Sequence, residues 1–301
     1  MAFETGSATS INSLVSILRT FASANGWTVD DTTDGHAVLT KGVACVVVAF
    51  DANNLYIRNA ISYSSGGNWT NQPGTTTWCK RANGYGGAIK AYWLFANADY
   101  IHMVTEQTTN VFSHLVFGTL SKFGSYTGGQ YVDCSHYDIS YPNFPDGHFP
   151  IFSADNNYAD SNNLSGSIRL DIDGLTNNFM GFSDGSGSGA ANRVKGVAQN
   201  WGDSLTGVLQ HCSVNAFNQR TILVPITLTA YRGSGLYSPI GQVQDLRTVR
   251  MDQLDPGQII TLGSDDWYCF PSLQKNYTTN VSGSGQPKSS WLYGFAYKKV
   301  P

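Results

Sequence analysis

The chain has 301 residues, of which 13% are charged, and its formal net charge is −3. At that length it buries roughly 75% of the surface its unfolded form exposes, so it needs neither a disulfide nor a metal to fold. It contains no apolar run of about 18 residues, so no membrane-spanning helix is expected, and no basic excess of the kind that marks a broad nucleic-acid surface.

Charge is sparse against an average of about 25%, whereas glycine reaches 32 residues and aromatics 13%. Ser, Thr, Asn, Gly and Tyr must therefore cover much of the surface. That chemistry suits lateral packing between subunits; an ordinary extracellular β-protein is the plainer reading of the same composition. Cys45, Cys79, Cys134, Cys212 and Cys269 are odd in number and form no CxxC pair, so neither a zinc ribbon nor a thioredoxin-type site is predicted. The first residues lack a basic region followed by an apolar run, so no secretory leader is expected.

Residues 10–25 predict one amphipathic helix. Ile11, Leu14, Val15, Leu18, Phe21 and Ala22 fall on one stripe, Thr9 or Ser10 supplies the N-cap, and Asn25-Gly26 the left-handed stop. The stripe is expected to cap one end of a sheet. Strands follow at 27–29, 36–40 and 42–50, with Asp34-Gly35 as a tight hairpin turn. The run 43–50 is apolar almost throughout, as in a strand buried on both faces, and Cys45 within it reads as a small hydrophobe. A strand at 55–63 follows the turn Asp51-Ala52-Asn53-Asn54. Residues 64–77 form a polar loop with Trp69 and Trp78 near its ends.

The next segment reads as an antiparallel meander: Ala91-Tyr92-Trp93-Leu94-Phe95, Tyr100-Ile101-His102-Met103-Val104 and Val111-Phe112-Ser113-His114-Leu115-Val116-Phe117. The turns between are Asn97-Ala98-Asp99 and Gln107-Thr108-Thr109-Asn110. With it, about eight strands precede residue 120. The predicted organisation is a mainly β chain. An antiparallel sandwich or barrel-like N-terminal domain (1–130) carries the helix, a loop-rich excursion (131–163) follows, and a smaller C-terminal β domain (164–301) closes it.

The excursion contains Pro142, Pro145 and Pro150 and the aromatics Tyr137, Tyr141, Phe144, Phe149 and Phe152. A loop of that length is uncommon in a compact domain unless it is functional or interfacial. Tyr137, Tyr141, Phe144 and Phe149 are therefore the candidate inter-subunit contacts. Beyond it, 168–172 predicts a half-exposed strand with Arg169 and Asp171, 184–189 a Gly/Ser turn, and 205–214 either strand or helix. Residues 222–231 predict a strand in which Pro225 marks an edge or a bulge. Strands at 247–251, 259–262, 267–270 and 295–299 complete the pattern, with Asp255-Pro256-Gly257 as a turn.

Several groups invite a chemical reading. His102 and His114 lie on neighbouring strands, but no HxH or HExxH pattern accompanies them or His136, His148 and His211, and cross-strand packing of half-buried rings is expected. Asp171-Ile172-Asp173-Gly174 with Asp184-Gly185 lacks the closing acidic ligand of a calcium loop and is expected to be a strand end and turn. Asp133, Asp138, Asp146 and Asp155 among Tyr and Phe are the only arrangement suited to glycoside cleavage, yet their spacing fixes no carboxylate pair. No P-loop lysine and no GxSxG elbow occurs. No catalytic residue, metal or cofactor is predicted.

Residues 92–106 (YWLFANADYIHMVTE) and 111–129 (VFSHLVFGTLSKFGSYTGG) resemble structural proteins of tailed-bacteriophage virions. The resemblance extends to Met1-Ala2-Phe3-Glu4-Thr5-Gly6 and to Arg250-Met251-Asp252-Gln253-Leu254-Asp255-Pro256-Gly257. It continues through Ile260-Thr261-Leu262-Gly263 to Trp267, Phe270 and Pro271, and closes on Gly294-Phe295-Ala296-Tyr297-Lys298-Lys299. It implies a non-enzymatic neck, collar, tail or baseplate component of the virion, made in the host bacterial cytoplasm. Self-association in a symmetric ring is implied, with tail, neck or portal-connector proteins as neighbours and without membrane contact or direct nucleic-acid reading. A receptor- or glycan-binding tail module and a tail-associated polysaccharide hydrolase are the rival expectations.

Overall fold

The computed structural model describes residues 2–75, 80–83, 86–137, 148–149, 151–152, 166–171, 179–182, 193–196, 221–232, 236–251, 253–272, 275 and 293–299. Among them the protein is mainly β with one helix, the fold class expected from the pattern of its residues. The chain opens with β1 (Ala2–Ala8), which sequence reasoning missed because its residues are small or polar. Helix α1 (Ile11–Ala24) follows. The Ser10 Oγ accepts the Ser13 N–H at 3.2 Å, and all six residues of the predicted stripe are buried. Gly26 at φ +77° lets the chain turn back, so that the Trp27 N–H reaches the Ala22 carbonyl at 3.0 Å.

A small antiparallel sheet comes next: β2 (Thr28–Asp31), β3 (Ala37–Lys41), β4 (Ala44–Phe50), β5 (Asn54–Asn59) and β6 (Lys80–Asn83), in that spatial order. β4 is buried on both faces, as expected. Val46 and Val48 point to the core shared with α1, while Cys45 and Val47 point to the opposite side, covered by Tyr63 and Trp69. Three local expectations are corrected. Asp31 pairs with Ala37, so the first hairpin has a five-residue connection, closed by the Thr32 N–H on the His36 carbonyl at 2.7 Å. Gly42 (φ +55°) and Val43 form the next turn and are not strand. The strand predicted to run to 63 stops at Asn59: one more bond joins the Ala60 N–H to the Cys45 carbonyl, and the Ile61 N–H then turns away onto the Pro73 carbonyl.

The large sheet begins with the expected meander: β7 (Ile89–Ala96), β8 (Tyr100–Thr108) and β9 (Val111–Thr119). A short β10 (Ser121–Lys122) and then β11 (Thr127–Cys134) follow. β12 (His136–Tyr137) and β13 (His148–Phe149) make a separate small ribbon. The large sheet resumes with β14 (Ser167–Asp171), β15 (Phe179–Phe182), β16 (Arg193–Gly196), β17 (Val224–Tyr231) and β18 (Tyr237–Arg250). It ends with β19 (Gln258–Leu262), β20 (Asp265–Pro271) and β21 (Tyr293–Lys299). Its order is β1-β7-β8-β9-β11-β14-β15-β16-β17-β18-β21-β20-β19, with β10 beside β18.

The boundary expected at 130 therefore falls inside β11. Residues 131–134 are strand, hydrogen-bonded to β9 on one side and β14 on the other, and the later strands continue the same sheet. Gly128 and Gly129, at φ +97° and +91°, form the bulge that makes this possible. A Cβ on Gly128 would meet the Arg169 carbonyl oxygen at 2.6 Å.

So long a sheet curls until its two halves face each other. The alternation of the meander divides its side chains between two cores. Leu94, Ala96, Ile101, Met103, Leu115 and Phe117 meet α1 and the small sheet. Phe95, Tyr100, Val104, Phe112 and Val116 meet Leu228, Leu246, Phe270 and Tyr297 of the other half. Phe3 stacks on Tyr268 at 5.1 Å, bringing β1 over β20. Pro225 sits where β17 shifts register against β18, the bulge of the edge-or-bulge expectation; among the described residues β16 pairs with Leu228 to Ala230. The turn at Asp255-Pro256-Gly257 closes with the Gln258 N–H on the Asp255 carbonyl and Gly257 at φ +77°.

Candidate assembly surface

The groups that invited a catalytic or metal reading lie inside. His102 and His114 are fully buried, not half-buried, and they do not pair with each other. Val104 opposes His114 and His102 opposes Val116, so both rings share the aromatic face of the meander. His102 Nε2 lies 2.9 Å from the Tyr131 hydroxyl, and its ring stacks on Tyr100 at 4.0 Å. His114 Nε2 is 2.9 Å from the Pro271 carbonyl and its Nδ1 2.6 Å from the Tyr297 hydroxyl. A carbonyl only accepts, so Nε2–H donates there, and in the neutral ring Nδ1 accepts from Tyr297. Burial pushes His102 down to about 3 and His114 to about 4, the Pro271 contact partly opposing it in the second case. Both are neutral near pH 7. Burial also drives the Tyr131 and Tyr297 phenols well up, so they stay protonated.

The carboxylates are similarly engaged. Asp133 is buried under the sheet and accepts the Cys134 N–H at 2.8 Å and the Phe152 N–H. Asp138, Asp146 and Asp155 lie outside the described residues. Asp171 is held by Arg169 through Nε at 3.1 Å and Nη2 at 2.7 Å, and Asp173 and Asp184 are outside the description. Among the described residues no group of three His, Cys, Asp or Glu is arranged for a metal. Cys45, Cys134 and Cys269 are buried, and burial pushes the Cys45 and Cys269 thiols up to about 12, so these two pack as hydrophobes.

Of the four candidate contacts, Tyr137 and Phe149 lie on the two strands of the β12–β13 ribbon without being partners: Tyr137 pairs with His148 and His136 with Phe149 through the backbone. Tyr141 and Phe144, like His211, lie outside the described residues.

A polar–aromatic cluster covers the outer face of the small sheet. The Arg58 guanidinium sits 4.5 Å over the Trp69 ring, with Tyr56 at 5.4 Å and His36 at 6.0 Å. Burial acts to raise the Asp34 carboxyl, but hydrogen bonds from Thr32, His36 and the Trp69 N–H outweigh it and hold it at about 2. The cluster folds the 60–75 loop onto the sheet, and its own members already occupy the stacking faces of Trp69.

Exposed apolar side chains gather at two other places. One is the arm formed by β17 and β18. The C-terminal part of β18 pairs with β21, whereas Tyr237 to Gln242 run on, among the described residues, beside β17 and the short β10. At its tip the Arg232 N–H closes on the Leu236 carbonyl at 2.9 Å, and the Phe123 N–H reaches the Ile240 carbonyl at 3.0 Å. Leu236 is 66% exposed and its chain neighbour Tyr237 37%; Phe123, opposite Ile240 further along the arm, is 53% exposed. A bulge with Asp245 at φ +52° anchors the arm to the meander: Asp245 accepts Asn97 Nδ2 at 3.3 Å and the Tyr100 hydroxyl at 3.0 Å.

The other place is β19, outermost in the large sheet among the described residues, where Ile259 and Leu262, three apart and so on opposite faces of the strand, are each 44% exposed. Sequence reasoning found β19 but not the arm. The signal for it was present, since Gly233-Ser234-Gly235 between Tyr231 and Leu236-Tyr237 is a hairpin signature. Val43 and Ile222 are exposed singly elsewhere.

A scan against models of known protein families finds no match, and a search of curated proteins finds none either.

Proposed function

We propose that this chain is a non-enzymatic structural protein of a tailed-bacteriophage virion, a neck, collar, tail or baseplate component that works by packing against copies of itself and other particle proteins. One observation carries the reading: the histidines and carboxylates of the described meander are consumed by internal bonds, while bare apolar side chains collect on a strand edge and a hairpin tip. Exposed apolar side chains of this kind suit contact with protein more than chemistry on a small molecule. The likeness of residues 92–106 and 111–129 to virion proteins supplies the setting. The glycan-binding alternative is less favoured because Arg58 already lies on the Trp69 ring.

Antibodies raised against the purified chain should decorate intact particles at a fixed position, and the chain should be recovered from particles washed free of lysate. A chain present in infected cells and missing from washed particles overturns the proposal.

A further inference from the structure

The small sheet meets the large one partly through three polar side chains set against the aliphatic core. Asn59 ends β5 opposite Val46, and Val46 packs in the core shared with α1, so the Asn59 side chain leaves the small sheet towards the large one. From the other side, Ser167 of β14 lies opposite Val132 of β11, and Gln130 is two residues before Val132 on the same strand. Val132 belongs to that same core, so Ser167 and Gln130 point back at the small sheet as diagonal neighbours. Asn59, Gln130 and Ser167 are each 0% exposed.

The amide nitrogens of this seam are engaged and the amide oxygens are not. Asn59 Nδ2 donates to the Ser167 carbonyl and to Ser167 Oγ, each at 3.0 Å. Gln130 Nε2 donates to the carbonyl of Ala60, the residue after Asn59, at 3.1 Å. A backbone carbonyl only accepts, so these bonds fix which end of each amide is oxygen. Asn59 Oδ1 and Gln130 Oε1 are then enclosed without a protein donor among the described residues. Burying an amide oxygen without a hydrogen bond is costly, and this seam holds two. The Ser167 hydroxyl, which accepts from Asn59 through its oxygen, still has its own proton to give.

We propose that the seam is an internal water site, in which one water donates its two O–H groups to Asn59 Oδ1 and Gln130 Oε1 and accepts the Ser167 hydroxyl proton. About three hydrogen bonds is the usual complement of a buried water. Two neutral amide oxygens and a hydroxyl are too few and too weakly charged for a calcium-like cation, which takes about six to eight oxygens. A water held there joins β5 of the small sheet to β11 and β14 of the large one. It registers the helix-bearing small sheet on the large sheet by directional bonds, which the surrounding aliphatic packing cannot do.

A crystal structure of the full-length chain, at a resolution that shows ordered water, tests the site directly. One peak is expected about 2.7–3.0 Å from both Asn59 Oδ1 and Gln130 Oε1. In solution, the side-chain amide protons of Asn59 and Gln130 should receive magnetisation from water with opposite signs in laboratory-frame and rotating-frame experiments. That pattern marks a long-lived neighbour and separates it from proton exchange. Either oxygen bonded to a protein donor in the crystal, no peak between the two, or no transfer at either amide overturns the site. A peak ringed by further oxygens at about 2.3–2.6 Å would make the occupant a cation and overturn the assignment to water.

Discussion

The two faces of the meander are buried by different chemistry. Towards α1 and the small sheet the side chains are aliphatic, with Leu94, Ile101, Met103 and Leu115 meeting Leu14, Val15 and Leu18. Towards the other half of the sheet they are aromatic and polar. Tyr100, His102, His114, Tyr131 and Tyr297 pack ring to ring, and their side-chain polar atoms, His102 Nδ1 excepted, bond to one another, to Asp245 or to the Pro271 carbonyl. Aliphatic packing is non-directional, so it stabilises without choosing a register. A buried imidazole is costly unless its partner arrives in the right place, so the second face ties β8 and β9 to one placement of β11, β18, β20 and β21. The difference separates what holds the molecule together from what makes its halves meet in one way.

The largest effect expected from this contrast is acid lability. The folded-state values of His102 and His114, about 3 and about 4, lie below the ordinary 6.5. The unfolded chain therefore binds more protons than the folded one between about pH 6.5 and those values, and stability falls as pH drops through that window, levelling off below it. Asp34, depressed to about 2, contributes separately, its share being lost only as pH falls from 3.8 through its folded value. Urea midpoints should decline from pH 7 to pH 4, and a His102→Leu, His114→Leu double variant that folds at neutral pH should lose most of that slope. A flat midpoint between pH 7 and 4.5 would show that the rings are not buried neutral.

On the aliphatic face, Leu14→Ala or Leu18→Ala should cost about 2–5 kcal/mol, because each leaves a cavity in a packed stripe. Melts indistinguishable from the parent would remove α1 from the core. On the polar face, Tyr131→Phe should cost about 1–3 kcal/mol: His102 Nδ1 already lacks a partner, and losing the Tyr131 hydroxyl strands Nε2 as well. Placed beside the leucine variants, it measures how far one hydrogen bond on this face rivals a whole side chain on the other.

Much of the first face was legible in the sequence. The helical stripe, its Ser10 cap, the continuous apolar run of β4 and the three meander strands follow from local periodicity. The second face was only half legible. Alternation places His102 and His114 on one side of the meander, but nothing local says whether that side faces water or another half of the same sheet. β18 was read only at its C-terminal end. Its opening residues, Tyr237-Ser238-Pro239-Ile240-Gly241-Gln242, have the composition of a loop, and they are strand because β17 and β10 pair with them. The split at residue 130 failed for a related reason: composition changes there while hydrogen bonding continues through β11. Of the exposed apolar side chains, Ile259 and Leu262 lie on a strand the pattern predicts, and Leu236 and Tyr237 follow a turn signal whose second strand it does not.

The smallest expected effect is at the joint between the polar face and the arm. Tyr100 keeps its ring on His102 at 4.0 Å and sends its hydroxyl to Asp245 at 3.0 Å, so Tyr100→Phe deletes only that bond. The stacking survives, the Asp245 carboxylate retains Asn97, and Asp245 is half-exposed enough for water to replace the lost donor. The loss should therefore be about 0.5–1.5 kcal/mol, below that of Tyr131→Phe, whose partner has no water to turn to. Its signature should be local: faster amide exchange around Asp245 in β18, with the β8–β9 ladder unchanged. A loss as large as that of Leu14→Ala would mean that the Asp245 bond itself holds the left-handed bulge in place, and that the arm is positioned by one hydroxyl instead of by the packing of the two half-sheets.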